Sequence, residues 1–204
     1  MQSGCRPCVF STNQSKPPRQ QTCDQALVAM ISARDRVAFE LLYTRHNVRV
    51  FRYAARLTGD AALAEDIVVD VFFAVWQSAH TFKSASQVST WLLSIAHHKA
   101  VSEIRRRAKT QIDNDEISAV VDGANDPEAT VAQTSRNEII RKCLMRLSLA
   151  QREIIDLVYY QERSIRDVAQ IVGIAEGTVK SRMFNARGRL AEFLQAAGIS
   201  DPQP

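Results

Sequence analysis

The residue types best suited to chemistry cluster near the carboxy terminus: Thr178, Lys180, Ser181, Arg182, Phe184, Asn185 and Arg187. Lysine and arginine neutralise phosphates, and hydroxyl and amide groups hydrogen-bond base edges, so this set suits non-covalent recognition of DNA. Lys180, Ser181, Phe184, Asn185 and Arg187 recur about four residues apart, which sets them on or near one face of a helix. Val179 and Met183 fall on the other side and point back at a preceding helix.

That preceding helix is expected from Ser164 to about Val172. Ser164 serves as N-cap with Asp167 three residues on, a near relative of the capping box. Ile165, Val168, Ala169 and Val172 share one face, Gly173 ends the helix in a left-handed conformation, and the small Ala169 admits the second helix closely. The pattern is a helix-turn-helix. One local rule is broken: Ala175 stands at the N-cap of the second helix, where a serine would contribute roughly 0.5 to 2 kcal/mol. Glu176, near the positive helix end, offsets part of that loss. Taken alone, the segment also fits a helical hairpin with a basic, solvated face.

A chain of 204 residues, 46% hydrophobic with few prolines and glycines, suits one large or two small helix-rich domains. No apolar run is long enough to span a bilayer, and the polar start containing Pro17 and Pro18 is unlike a secretory signal. The expected location is therefore the cytoplasm, without membrane insertion. The formal charge of +4 is uneven: +3 over residues 1–23, +3 over 24–108, −4 over 109–136 and +2 over 137–204. Local clusters such as Arg105, Arg106, Arg107 and Lys109 speak for nucleic acid more strongly than the total does. Four cysteines in such a chain make no disulfide framework. Cys5 and Cys8 form a CxxC, but further ligands are distant, so an unstructured tail is expected there, with no metal and no cofactor.

Helical periodicity begins at Asp24 and runs through Leu27, Met30, Ile31, Phe39, Leu42, Tyr43, Val50, Phe51, Ala54 and Leu57. Thr58-Gly59-Asp60 ends that run, and Asp60 can cap the next helix, Ala61 to about Trp76. This helix is apolar around most of its girth but keeps Glu65, Asp66 and Asp70 on a polar edge, beside Phe73 and Trp76. Gln77 to Ser89 reads as a polar loop, and a further helix from about Ser89 to Lys109 places Trp91, Leu92, Ile95, Ala96 and Ile104 inward. Residues 109–136 lack periodicity and read as an acidic, flexible linker. Helical pattern resumes with Ile139, Ile140, Leu144 and Leu147, and no strand-like alternation occurs anywhere. The fold class is all-α, two helical domains joined by the linker, the second holding the helix-turn-helix. The expected divisions are a tail over 1–23, a first domain over 24–108, the linker over 109–136, a second domain over 137–195 and a short tail over 196–204.

Two separate blocks resemble the extracytoplasmic-function (ECF) sigma factors of bacterial RNA polymerase. The segment Ala64-Glu65-Asp66-Ile67-Val68-Val69-Asp70-Val71-Phe72-Phe73-Ala74-Val75-Trp76 is similar to the family's polymerase-binding helix. Thr90 to Ala96, followed by Arg105-Arg106-Arg107, is similar to its promoter-melting helix. Leu144 through Ala169, then Gly177-Thr178-Val179-Lys180-Ser181-Arg182 with Ala186-Arg187, resembles its carboxy-terminal DNA-binding domain. The resemblance implies a transcription initiation factor that binds the largest subunits of core polymerase, directs it to promoter DNA and helps open the −10 element. It also implies no catalytic residues in the chain itself and control by an anti-sigma protein.

By the same resemblance, Glu65, Asp66, Asp70, Phe73 and Trp76 face the polymerase through charge pairing and an aromatic anchor. The loop from His80 to Ser89 corresponds to the segment that captures a flipped −10 base, with His80, Phe82 and Lys83 able to stack on or hydrogen-bond it. Lys99, Arg105, Arg106 and Arg107 are placed to neutralise −10 phosphates. Lys180, Ser181, Phe184 and Asn185 match the positions that read the −35 element, with Thr178, Arg182 and Arg187 as phosphate contacts; Phe184 is equally well read as core. The chain departs from the family at His97-His98, where an Arg-Asn pair is usual, at Ser102 for Asp, at Asn185 for Arg, and at Ala150 for a proline. Asn favours adenine where Arg favours guanine, so the −35 preference is expected to differ. The rival reading is a two-domain helix-turn-helix regulator that binds duplex DNA without replacing the sigma subunit.

Overall fold

The computed structural model describes residues 22–83, 86–113 and 131–199. Among these the elements are helical throughout: α1 (Asp24–Ser32), α2 (Arg36–Thr58), α3 (Ala61–Ser78), α4 (Val88–Asp113), α5 (Val131–Met145), α6 (Leu149–Ile155), α7 (Ile165–Val172) and α8 (Glu176–Ala196). A 3-10 turn follows α3 at Ala79–Thr81, and a π-type turn follows α6 at Asp156–Tyr160. The Cys5–Cys8 motif and most of the expected acidic linker lie outside the described residues.

The apolar run from Asp24 to Leu57 is two helices rather than one. Arg34 adopts a left-handed φ of 67° between them, and the Asp35 carboxylate accepts from the Val37 and Ala38 amides at 2.9 and 3.1 Å. Such a cap satisfies donors that the first turn would otherwise leave unpaired. Asp24 fastens the two helices by accepting from Arg45 and pairing with His46, each at 2.7 Å. The corner has a second purpose, since the Arg34 guanidinium donates to the Trp76 carbonyl at the far end of α3 (3.0 Å) and lies over the Trp76 ring.

Gly59 ends α2 at φ 75°, and the Asp60 side chain caps α3 through the Leu63 amide at 3.0 Å, both as expected. Leu63, Ala64, Ile67, Val68, Val71, Phe72 and Val75 of α3 are buried against α2 and α4, with Phe39 and Tyr43 edge-on to Phe72. The loop expected over Gln77–Ser89 is shorter than its composition suggested. Buried Ala79 and Val88 draw its two ends into helical conformations. Helix also intrudes on both ends of the expected 109–136 linker, because α4 continues to Asp113 and α5 starts at Val131.

In the second half, Ser148 and Gln151 form a reciprocal capping box at the start of α6. It closes the turn that contains Ala150. The two halves pack against each other. Ile154, Leu157, Val168, Ile171 and Val179 belong to the same buried cluster as Tyr53, Leu57, Leu92, Leu93 and Ala96, with α7 lying on α4 and α6 on α2. A smaller cluster of Leu147, Ile155 and Ala186 joins α6 to α8.

Candidate nucleic-acid interface

The helix-turn-helix forms as its sequence dictates. Ser164 accepts from the Asp167 amide at 3.1 Å and donates to its carboxylate at 2.6 Å, and Gly173 closes α7 at φ 74°. Ala175 begins α8 with no side-chain cap. Val179 and Ala186 are fully buried and Met183 joins the core, which fixes the rotation of α8 and turns its other side outward. Lys180, Ser181, Asn185 and Arg187 are exposed, while Thr178 and Arg182 sit half-buried at the margins. Phe184 is 78% exposed and so is not part of the core. Phe184, Asn185 and Arg187 also line an open depression with Gln151, Gly188, Arg189 and Glu192. Arg189 was not singled out, because it lies two residues past Arg187, where the family pattern ends.

On the first half, the solvent side of α3 carries Glu65, Asp66 and Asp70 with two large apolar groups, Val69 at 65% and Phe73 at 58% exposure. Val69 was missed as part of this face because a valine inside an apolar run reads as core. Trp76, expected beside Phe73, is half-buried and edge-on to Phe39 at 5.4 Å under the Arg34 guanidinium. It serves the α1–α2 corner more than the exposed face.

The residues expected at −10 DNA divide into two groups. His80 and Lys83 are exposed beside the turn after α3, whereas Phe82 is half-buried against Trp91 at 5.1 Å and anchors the loop to α4. Lys99 lies 3.4 Å from the Asp70 carboxylate, Arg106 bonds Glu103 at 2.6 Å, and Arg107 bonds Asp60 at 2.6 Å. Arg105 forms no ion pair among the described residues and is exposed. The capped amides of α3 and the Arg107 guanidinium hold the Asp60 carboxyl below its ordinary range, and Arg106 does the same for Glu103. Exposed pairs of this kind are individually weak, so the arginines can exchange a carboxylate for a phosphate.

Among the described residues no group of three or more His, Cys, Asp or Glu is placed to hold a metal ion. His97 is buried, and its Nδ1 lies 2.5 Å from the Glu153 carboxylate of α6. Tyr53 donates to the same oxygen at 2.5 Å, and Arg56 pairs with Asp156. None of Tyr53, Arg56, Glu153 and Asp156 was picked out from the sequence. The available signal was two acids, Glu153 and Asp156, bracketing Ile154 and Ile155 and followed by Leu157 and Val158.

Two family models match the chain: Sigma-70 region 2 over residues 42–110 and Sigma-70 region 4 over residues 137–190. The ECF RNA polymerase sigma factor SigM of Mycobacterium tuberculosis is 33% identical over 177 residues, covering 86% of this chain and 87% of its own. SigL of the same species is 33% identical over 184 residues, covering 86% and 99%. Among solved structures, the sigma factor RpoE in complex with the anti-sigma factor NepR from Bartonella quintana superposes with a TM-score of 0.66 at 30% identity, covering 77% of this chain and 96% of its own. CnrH in complex with the cytosolic domain of CnrY shares the fold, with a TM-score of 0.64 at 23% identity and coverage of 86% and 99%.

Proposed function

The chain belongs to the ECF sigma factors of RNA polymerase, and from that premise we propose that it binds core polymerase, brings it to promoter DNA and is held in check by an anti-sigma protein. The observation that carries this reading is the pair of outward faces on two rigid helices. One is acidic and apolar and the other basic and polar, and they occur in the family's order along the chain.

On this reading Glu65, Asp66, Val69, Asp70 and Phe73 meet the polymerase, with apolar area at the centre and carboxylates that steer toward a basic partner. His80 and Lys83 lie beside the flipped −10 base, with Phe82 and Trp91 holding their loop in place. Lys99, Arg105, Arg106 and Arg107 follow the −10 phosphates, and Lys180, Ser181, Phe184 and Asn185 read the −35 major groove between phosphate contacts from Thr178, Arg182 and Arg187. Bond formation is left to the polymerase, and this chain supplies position and strand opening. The proposed divisions are a polymerase and −10 half over 24–108 and a −35 half over 137–195, and the order of the two matched family models supports them. Relatives solved with anti-sigma proteins support the regulatory part.

Run-off transcription with purified core polymerase on genomic fragments tests the assignment. A specific transcript that depends on this protein is the expected result. Absence of any transcript, together with failure to co-purify with core enzyme, returns the chain to the helix-turn-helix regulators that act alone.

A further inference from the structure

The outer side of α2 is a feature that the sigma reading does not use. Leu42, His46, Val50, Tyr53 and Leu57 are buried and set the inward side of this helix. The opposite side falls on Val37, Leu41, Thr44, Val48, Phe51 and Ala55, spaced alternately by four and three positions along about 27 Å of helix. The outer side of a surface helix is ordinarily polar, yet Val48 is 54% and Val37 38% exposed, and Leu41, Phe51 and Ala55 are half-buried against the edge of the core. Thr44 is exposed too, and its hydroxyl donates to the Glu40 carbonyl at 2.8 Å, within the helix itself. Single exposed apolar side chains are common, whereas a line continuous over about five turns marks a surface that something covers. One border of the line carries Arg45 and Arg52 with Arg49 behind them, and the other carries Glu40 and Asn47. Arg45 is held by Asp24, while Arg49 and Arg52 are exposed and form no ion pair among the described residues.

We propose that this line is the docking surface for an amphipathic helix of another protein, with apolar residues at the same alternating spacing and an acidic flank toward Arg45, Arg49 and Arg52. The alternating repeat is the one along which two helices keep a common apolar contact, and the charges on its borders select the partner. The inference does not rest on the sigma reading, since the residues assigned there to polymerase and DNA lie on α3, α4 and α8 and in the loop before α4. A second copy of this chain is a poor occupant. Laid antiparallel, it sets Arg45 and Arg52 against the same residues of its partner, and each copy carries a net charge of +4. A lipid surface fits no better, because a helix lying in a membrane presents a broad apolar face, and here the exposed apolar line is narrow.

The test titrates the full chain, by fluorescence anisotropy, with two labelled synthetic helices that carry leucines at the alternating spacing and either glutamates or lysines on both flanks. The glutamate peptide is expected to bind at least about tenfold more tightly than the lysine peptide. Val48→Glu, at an exposed site, should weaken the glutamate peptide by about tenfold or more, and Arg52→Glu should reverse the preference between the two. Asp66→Arg on α3 should leave both affinities as in wild type. Equal binding of the two peptides, wild-type affinity in Val48→Glu, or a loss in Asp66→Arg that Val48→Glu does not share overturns the proposal. Wild-type chain that sediments as a dimer, and as Val48→Glu reverts to monomer, assigns the line to a second copy and overturns it as well. So does wild-type chain that pellets with phosphatidylserine vesicles while Val48→Glu stays in solution. A failed run-off transcription assay leaves all of these outcomes unchanged, so this proposal and the sigma assignment fail separately.

Discussion

On α3 the solvent side holds Glu65, Asp66, Val69, Asp70 and Phe73, whereas on α8 it holds Lys180, Ser181, Phe184, Asn185 and Arg187. The backs of the two helices differ as much as the fronts. Seven side chains of α3 are buried and its first turn is capped by Asp60, while α8 buries only Val179 and Ala186 and starts at Ala175 without a side-chain cap. On the proposed reading, a protein partner is met by apolar surface framed with charge on a helix locked from behind. DNA would be met by cations and amides on a helix held by few anchors, with affinity from phosphate neutralisation and hydrogen bonds rather than from buried area.

The largest expected effect separates the two faces by partner. Asp66→Arg should weaken binding to core polymerase on the order of tenfold or more, because it sets a like charge against a basic surface. Lys180→Ala should leave that affinity unchanged, and equal losses in a fluorescence titration with core enzyme would erase the distinction. The next effect belongs to the shared back of both faces. Burial raises the Asp156 carboxyl to about 6, with Arg56 and Gln161 pulling against it and the Glu153 charge adding to it. The packed form therefore keeps a proton that the unfolded chain, with a carboxyl near about 3.9, gives up. The share of stability that depends on this group should grow as pH falls from about 6 toward 4 and be insensitive to it above about 7. Thermal unfolding of wild type and of Asp156→Asn across that window reads the difference, and parallel slopes would remove Asp156 from the pH response.

Smaller effects should appear on the DNA face. Asn185→Ala should cost about 1 to 3 kcal/mol on a −35 duplex and relax preference at one base. Arg187→Ala should weaken all duplexes alike and reduce the salt slope by about 1. A band-shift series at several salt concentrations separates the two, and a sequence-independent loss for Asn185→Ala would make it a phosphate contact. Smallest are the caps. Ser164→Ala should lower stability by about 1 kcal/mol, and Ala175→Ser should raise it by about 0.5 to 2 kcal/mol, read by thermal unfolding. No gain from serine would mean that the start of α8 is satisfied in another way.

Local patterns were legible wherever the residues that set a structure lie within a turn of one another. Ser164, Gly173, Gly59 and Asp60 each act through neighbours three or four positions away, and each does what its type and place suggested. The corner at Arg34 was hidden because the apolar period continues across it, and its stabilising partner, Trp76, is 42 residues distant. Phe82 and Trp76 looked like exposed aromatics until Trp91 and Phe39 came to lie beside them. The contact between α2 and α6 is the extreme case. Tyr53 and Glu153 are 100 residues apart, and no one-dimensional pattern links a tyrosine in one helix to an acid in another.

The connector gives that packing a further property. From Asp113 to Val131 there are 18 Cα steps, and at about 3.3 to 3.6 Å each they reach at most about 65 Å. One half is therefore presented to the other at an effective concentration of about 1 mM. Packing of the two halves is a first-order event whose extent does not depend on how much of the protein is present, so a dilution that would separate two independent chains leaves this contact intact.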